Sequence, residues 1–345
     1  MKKLTALLLV MVMMLTMVVG ISTTALAEES KPLAGKKIAF ICANQDDMYV
    51  RYGKMLEYQL GLAGAEFQVV MSDGNAQREL DNVNDLIVAG VDALILLAVN
   101  TATSAETVKL ANEAGIPIFG VAQIADLSNT DNEYTGICRY DQYQISVLVA
   151  DYVLAMPNVA DLKMVSIEGN LQSSGAILTR DGFSDTIENA GLARPESVGE
   201  GKYSREGALA VAQDLIASGR EWDLCFVGNE EMTAGVVQAL EENGITGKLL
   251  VSCNAKPIGL EMIKEGTLLA TGEQPPTLIG DLLSQMIIKY FTGEDFTHTV
   301  LWSGDRAIDN EIVDVAITWD QDEYLRLKDE GLIETSLDYY AAKMQ

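Results

Sequence analysis

Few side chains in this sequence have the types and spacing that catalysis or metal binding requires. The single histidine, His298, can form neither a metal cluster nor a catalytic dyad by itself, so we assign it a structural role. Adjacent carboxylates occur at Asp46-Asp47 and Glu230-Glu231, but neighbours in sequence need not converge on one bond. The sequence also lacks a CxxC pair, a GxGxxG loop after a strand and a GxSxG turn. We therefore predict that the protein is not an enzyme and holds no metal and no cofactor.

A second set of side chains suits the binding of a small neutral polyol. Amides both donate and accept hydrogen bonds, and tyrosine rings cover the apolar face of a sugar ring. Open α/β sheets bind ligands in loops at the carboxyl ends of their parallel strands. The candidates in such loops are Asp46 to Tyr49, Leu97 to Thr101, Ala122-Gln123, Glu168, Thr179-Arg180, Tyr203, Asn229, Cys253-Asn254 and Gln274.

Several of these candidates have a structural alternative that the sequence leaves open. Asn229 is equally suited to capping the helix that begins near Met232, where a side-chain oxygen satisfies free amides. Tyr49 and Tyr203 could be packing residues, although an aromatic residue beside a polar loop favours the site.

Acidic residues near the predicted cleft have a second reading as well. Asp46 and Asp47 could form a solvated loop, and of the two only Asp47 is expected to contact ligand. Tyr140 and Asp141 lie where the chain is expected to pass through a hinge between two lobes. Asp141 is expected to cap the following helix there, and Tyr140 to face the ligand.

The elements that would carry these residues alternate between short strands and amphipathic helices. Strands read as continuous apolar runs, which is typical of a parallel sheet covered on both faces. They are predicted at 38–42, 67–70, 93–97, 117–121, 164–167, 224–227, 249–252 and 268–271, with helices near 50–63, 76–89, 103–114, 174–189, 206–218, 232–243 and 258–265. This βαβ pattern predicts an α/β fold of two doubly wound parallel-sheet lobes.

The first residues have the features of a secretory signal peptide. Lys2 and Lys3 precede an apolar run over 4–19, and Ala25-Leu26-Ala27 supplies a small-residue cleavage site. A membrane anchor is the alternative, but the run is at the short end for a span. No cysteine lies near the cleavage site to accept a lipid, so we expect an exported, periplasmic or extracellular protein, free in solution.

Removal of residues 1–27 leaves about 318 residues, which exceeds what one hydrophobic core serves and favours two domains. No linker rich in Gly, Pro or Ser separates the lobes, so a hinge of crossing strands is expected. The mature chain has 22 basic and 50 acidic residues, a formal charge of −28. Such a field repels phosphate backbones, which excludes nucleic-acid partners.

Four cysteines in an exported chain would ordinarily suggest two disulfides. Cys42, Cys225 and Cys253, however, lie in or at the end of apolar strand-like runs. We therefore predict free thiols.

The chain resembles the periplasmic sugar-binding family typified by ribose-binding protein over nearly its whole mature length. The order and spacing of several short stretches carry the resemblance: Lys37 to Phe40 followed by Tyr49, Gly90 to Ile95, Ala111 to Pro117, Asp181-Gly182-Phe183, Gly228 to Met232 with Gly235, and Ala270 to Pro275. The resemblance implies a first lobe of 36–139 plus 275–310 and a second of 140–274 plus 311–345.

The resemblance also implies ligand contacts, at Tyr49, Tyr203, Asn229 and Gln274. Three family positions differ here. Where the family has an Asp-Arg pair, this sequence has Ala122-Gln123, and where the family has an aspartate, it has Asn254. Thr179 stands in place of a family arginine, and Arg180 is the next residue. Without those charges the usual charge-assisted hydrogen bonds to sugar hydroxyls cannot all form, which argues against ribose itself. The predicted ligand contacts are Asp47, Tyr49, Gln123, Tyr140, Thr179, Arg180, Tyr203, Asn229, Asn254 and Gln274.

The resemblance implies a monomeric solute-binding protein that closes around a sugar or polyol and delivers it to the permease of an ABC transporter. The alternative is a sensory protein whose closed form docks on a chemoreceptor or sensor kinase. Repressors that share the fold carry an amino-terminal DNA-binding motif, and here a signal peptide occupies that place.

Overall fold

The structure is a computed structural model that describes residues 31–171 and 173–343. The predicted signal peptide, residues 1–27, lies outside the described residues. Within these ranges no helix is both long and apolar enough to cross a membrane.

Twelve strands can be traced in the described ranges, and they form two six-stranded sheets. The strands are β1 (Lys37–Cys42), β2 (Glu66–Met71), β3 (Ala93–Leu96), β4 (Ile118–Val121), β5 (Gly136–Tyr140), β6 (Met164–Glu168), β7 (Glu196–Glu200), β8 (Leu224–Val227), β9 (Leu249–Asn254), β10 (Ala270–Glu273), β11 (Thr299–Trp302) and β12 (Ile308–Asp309). The first sheet has the order β11-β5-β4-β3-β1-β2, and the second has the order β12-β10-β9-β8-β6-β7. Strand pairs are parallel except β10 with β12. The predicted fold class is therefore confirmed.

Helices cover both sheets and connect the parallel strands. They are α1 (Asp47–Leu62), α2 (Ala76–Ala89), α3 (Ala105–Glu113), α4 (Gln142–Leu154), α5 (Ser174–Asn189), α6 (Arg205–Ala217), α7 (Glu230–Glu242), α8 (Pro257–Glu265), α9 (Pro276–Thr292), α10 (Gln321–Asp329) and α11 (Leu337–Lys343). Single 3₁₀ turns lie at Val159–Asp161 and Val313–Val315. Gly115 and Gly244 directly follow the helices that the sequence predicts near 103–114 and 232–243, and their φ angles are 69° and 63°. These left-handed conformations favour glycine and stop the helices there.

The interior strands are buried from end to end. Every residue of β3, β4 and β8 is buried, because helices pack on both faces of each sheet. All four cysteines belong to this interior and are free thiols, as the sequence predicts. Burial raises the pKa of Cys42 to about 11 and that of Cys253 to about 12, so both stay protonated.

The chain crosses between the lobes where β5 runs into α4, where β10 runs into α9, and where β11 leads to β12. The crossings are hydrogen-bonded to one another. Asp141 N donates to Trp302 O at 2.8 Å, and Ile317 N donates to the Glu273 carboxylate at 2.6 Å. The first two crossings lie close to the boundaries predicted at 139 and 275.

The C-terminal part of the chain follows a different path from the predicted one. β12 pairs with β10 of the second sheet, although the sequence assigns residues 275–310 to the first lobe. The chain then returns, and α10 and α11 pack against α9 and β11, although residues 311–345 were assigned to the second lobe. A fourth crossing therefore lies between β12 and α10. Buried Asp281 of α9 fixes α10 there by accepting from the Tyr324 hydroxyl at 2.7 Å.

Candidate functional site

A cleft of about 820 Å³ opens between the lobes at the carboxyl ends of the strands. A cavity of this size is in the range that holds a small organic ligand. Both lobes line it, as expected when two open sheets face each other across a hinge. Of the ten predicted contacts, the cleft is lined by Tyr49, Gln123, Tyr140, Thr179, Tyr203, Asn229, Asn254 and Gln274. All eight are neutral.

The two charged residues among the predicted contacts do not line the cleft. Asp47 is the first residue of α1, and its exposed carboxylate accepts from Arg51 Nε at 3.0 Å, one turn along the helix. Arg180 donates to its neighbour Asp181 at 2.8 Å. Successive helical residues point about 100° apart, and here Thr179 lines the cleft while Arg180 does not. Glu168, a further candidate, is buried at the end of β6 and accepts from Ser166 Oγ at 2.6 Å.

The first-lobe wall is formed where α1 begins. Asp46 caps the helix by accepting from Met48 N at 2.9 Å, and it lines the cleft in place of Asp47. The rings of Tyr49 and Tyr52 stack with centroids 6.4 Å apart. Burial, reinforced by the charge of Asp46, raises the pKa of Tyr49 to about 12. Tyr49 is thus a neutral hydrogen-bonding group on an apolar ring, a combination suited to a sugar face.

Tyr203 provides the matching ring on the second lobe. It packs against Gly169, where a Cβ would overlap the ring. Burial raises its pKa to about 12, and the hydroxyl of Tyr49 across the cleft adds to this effect. One edge of Tyr203 stays open, with 41% of the residue exposed. Each lobe therefore contributes a tyrosine to the cleft lining.

The loops that carry these side chains are held in uncommon backbone conformations. The φ angles are 54° at Ala122, 59° at Tyr203, 108° at Asn254 and 51° at Ala255. A side chain with a Cβ adopts positive φ rarely, and such strain persists where the surrounding structure determines it. Of these four positions, Ala122, Tyr203 and Asn254 line the cleft.

Asn229 combines the two roles that the sequence leaves open. Its Oδ1 accepts from Met232 N at 2.9 Å and caps α7. The same buried side chain lines the cleft, 4% exposed. Because the cap uses only the carbonyl oxygen, the amide NH₂ remains able to donate to a ligand.

A network of neutral groups lies at the hinge end of the second lobe. Gln274 Nε2 donates to Gln142 Oε1 at 2.8 Å, and the Gln142 amide donates back at 3.3 Å. Thr179 Oγ1 also donates to Gln142 Oε1, at 3.4 Å. Gln142 was not among the predicted contacts, because the signal around it suggests only a helix start after the Asp141 cap. The two hydrogen bonds between Gln142 and Gln274 fix the orientation of the Gln274 amide and so determine which of its atoms face the cleft.

Tyr140 and Tyr52 place two buried hydroxyls at the base of the cleft. Within the described part of the chain, neither hydroxyl oxygen has a hydrogen-bond partner that satisfies normal geometry. Burial raises the pKa of both phenols well above the ordinary value. The two hydroxyls interact with each other, and each retains capacity for a hydrogen bond to a ligand hydroxyl that reached them. No pattern in the sequence indicated a role for Tyr52 in the cleft, because its helical position is typical of core packing.

Other residues that line the cleft were also missed. Lys256 follows Asn254 by two residues, and Ser173 and Ser174 begin α5 opposite the first lobe. Their polar type alone does not separate them from ordinary surface residues. Only the folded loops bring them to the cleft.

The profile of the periplasmic binding protein domain family matches residues 38–295. Among curated proteins, the ribose import binding protein of Salmonella typhimurium is 26% identical over 235 residues, which are 67% of this chain and 76% of that protein. These matches agree with the resemblance found in the sequence.

Solved structures of low sequence identity share the fold. An ABC transporter solute-binding protein from Bacillus halodurans, with bound myo-inositol, superposes with a TM-score of 0.69 at 23% identity and covers 81% of this chain and 96% of that one. The fructose-binding periplasmic domain of a hybrid two-component system gives a TM-score of 0.72 at 19% identity, with 86% and 97% covered.

Proposed function

This chain belongs to the periplasmic binding protein domain family, a family of non-enzymatic binding proteins, and from that premise we propose that it is the exported solute-binding protein of an ABC importer for a neutral sugar or polyol. The observation that carries the proposal is the cleft lining: both lobes contribute tyrosines and amides to it, beside charged side chains such as Asp46, Arg139 and Asp141 that can also bind hydroxyls.

The cleft offers a polyhydroxylated ligand several kinds of partner. The rings of Tyr49 and Tyr203, one from each lobe, suit a flat apolar face, and the amides of Asn229 and Gln274 suit hydroxyls around its rim. Arg139, which also lines the cleft, can make charge-assisted hydrogen bonds to further hydroxyls. The ribose import relative supports the same ligand class.

Export follows from the proposed role, since a solute-binding protein works outside the membrane that its permease spans. The permease is the proposed partner. Closure of the lobes would present it with a joint surface made from both.

A sensory function is the second candidate, because the fold is shared with the periplasmic domain of a two-component system that binds fructose. Sensing and import use the same ligand-driven closure. Copurification separates them: a sensory protein retains a receptor or sensor kinase, whereas an import protein retains permease subunits.

A thermal-shift screen of sugars, polyols, amino acids and nucleosides tests the proposed ligand class. At about 100 times its dissociation constant, a ligand that binds only the folded protein adds roughly 2.7 kcal/mol to the free energy of unfolding. We expect a sugar or polyol to raise the melting temperature. Stabilisation by amino acids alone, or by nucleosides alone, would contradict the proposal.

A further inference from the structure

The segment between β12 and α10 carries a tryptophan that contacts both lobes behind the cleft. Trp319 is 1% exposed and is the largest of the fully buried side chains. It follows the fourth crossing and lies beyond residues 38–295, the part of the chain that the family profile matches. It is also not among the residues that line the cleft.

On the second lobe, Trp319 holds the loop that carries Asn254. The indole Nε1 donates to Asn254 O at 3.2 Å, and the same oxygen accepts from Gln274 N at 3.1 Å. The ammonium of Lys256 lies 5.3 Å from the ring centroid, within cation–π range. This is the loop whose φ angles at Asn254 and Ala255 are 108° and 51°. Such a conformation needs neighbours that determine it, and the indole is one of them.

On the first lobe, Trp319 is fixed by Arg51 of α1. Arg51 Nη1 donates to Trp319 O at 2.6 Å, and its guanidinium carbon lies 6.0 Å from the ring centroid. Arg51 Nε is oriented by the carboxylate of Asp47 at 3.0 Å. The first turn of α1 also carries Tyr49, so a direct chain of contacts runs from the first-lobe ligand wall to the second-lobe ligand loop.

We propose that Trp319 is a positioning residue: it keeps the Asn254 loop in its cleft-facing conformation and links this loop through Arg51 to the helix that carries Tyr49. The inference rests on the proposed function, because a held loop matters to affinity only if the cleft binds a solute. Whether Trp319 holds the Asn254 loop does not depend on which ligand binds, and it can be measured without a ligand.

Trp319→Phe is the variant that tests the contact, since it keeps an aromatic ring for Lys256 and Arg51 and removes the Nε1–H donor, although the smaller ring also leaves a cavity. Asn254 O still accepts from Gln274 N, so the loop remains folded. The reporter is the Ala255 amide, which donates to Glu230 Oε1 at 2.7 Å. We expect its hydrogen exchange to quicken about fivefold, the effect of losing one hydrogen bond.

The affinity of Trp319→Phe is measured with D-ribose, D-xylose, L-arabinose, D-fructose and myo-inositol as probes. Whichever of these binds the wild-type protein should bind the variant about fivefold more weakly. The matched control is Trp222→Phe, which makes the same change of ring size at another buried position, 3% exposed, where Lys248 lies 4.9 Å from the ring centroid. Both variants should lower the melting temperature because each leaves a cavity, but Trp222 does not line the cleft, so its variant should leave affinity and Ala255 exchange unchanged.

Two results would overturn the inference. One is unchanged Ala255 exchange in Trp319→Phe, and the other is exchange that quickens equally throughout both lobes, which would mark a role in stability alone. If no probe binds the wild-type protein, the sugar proposal loses its support, whereas Ala255 exchange still decides whether Trp319 holds the loop.

Discussion

Asn229 supplies a helix cap with one atom and offers a donor to the cleft with another, so substitutions can separate the roles. Asn229→Asp keeps the capping oxygen for Met232 N and loses the NH₂ donor. We expect its melting temperature to stay near that of the wild type while sugar affinity falls roughly tenfold to a hundredfold, because a buried ligand oxygen loses its partner. Thermal denaturation and calorimetric titration measure the two quantities.

Asn229→Ala provides the comparison, since it removes the cap as well. It should lose affinity and also about 1 kcal/mol of stability. Unchanged affinity in both variants would remove Asn229 from the ligand site and leave it a cap.

Glu230 makes the stability of the second lobe depend on pH. Its buried Oε1 accepts from Thr271 Oγ1 at 2.6 Å and from Ala255 N at 2.7 Å. Burial raises the pKa from 4.5 to about 7. The folded state therefore binds the proton more tightly than the unfolded state, and this contribution to stability, present below about pH 4.5, is lost as the pH rises to about 7.

Glu230→Gln keeps an acceptor for both donors and cannot ionise. At pH 8 we expect it to raise the free energy of unfolding by on the order of 1–3 kcal/mol, and at pH 4.5 to change it little. Urea unfolding at the two pH values measures the difference. Buried Glu273, with a pKa also near 7, should keep part of the pH dependence in the variant. An equal effect at both pH values would contradict this assignment.

The residue types at the site could be predicted from sequence, but the choice between neighbours could not. Asp46 and Asp47 differ by one position at a helix start, and only the start itself decides which carboxylate caps α1 and lines the cleft. Thr179 and Arg180 differ in the same way by a rotation about α5. Gln142 and Tyr52 gain their roles from contacts across the fold, which leave no local pattern.

At the scale of elements, glycines in two helices of the second lobe let neighbouring helices pack closely. Gly182 of α5 lies against the Tyr143 carbonyl of α4, and Gly235 of α7 lies against the Arg205 carbonyl of α6. A Cβ at either position would overlap backbone. We expect Gly182→Ala and Gly235→Ala each to cost about 1–3 kcal/mol of stability, since the helices would have to move apart.

Gly61→Ala is the control for helix propensity, because a Cβ there meets nothing within 4 Å. It should stabilise the protein by about 0.4–1 kcal/mol. Denaturant unfolding of the three variants provides the measurement. Destabilisation by all three, or by none, would contradict the packing explanation.

The interior elements were predictable because their apolar runs are continuous, whereas some peripheral ones were not. β7 lies at the edge of its sheet and reads Glu-Ser-Val-Gly-Glu, which lacks the apolar signal of an interior strand. The short β12 and the return of α10 to the first lobe depend on contacts with β10 and α9. Such long-range pairing has no counterpart in local periodicity.

At the scale of the whole molecule, the lobes are joined by four crossings, and the hydrogen bond from Ile317 N to buried Glu273 links two of them. Closure must turn the lobes about these crossings, and a ligand favours closure only through contacts that it makes on both lobes. Tyr49 on one side and Tyr203 with Asn229 on the other line the cleft, and we propose that they supply these contacts.

Small-angle X-ray scattering of the mature protein, with and without the sugar that stabilises it in the thermal screen, tests most directly whether the lobes close around a neutral sugar. We predict a smaller radius of gyration at saturating sugar, and an unchanged radius of gyration with a sugar that does not stabilise the protein. Saturation of the protein with an unchanged radius of gyration would contradict it.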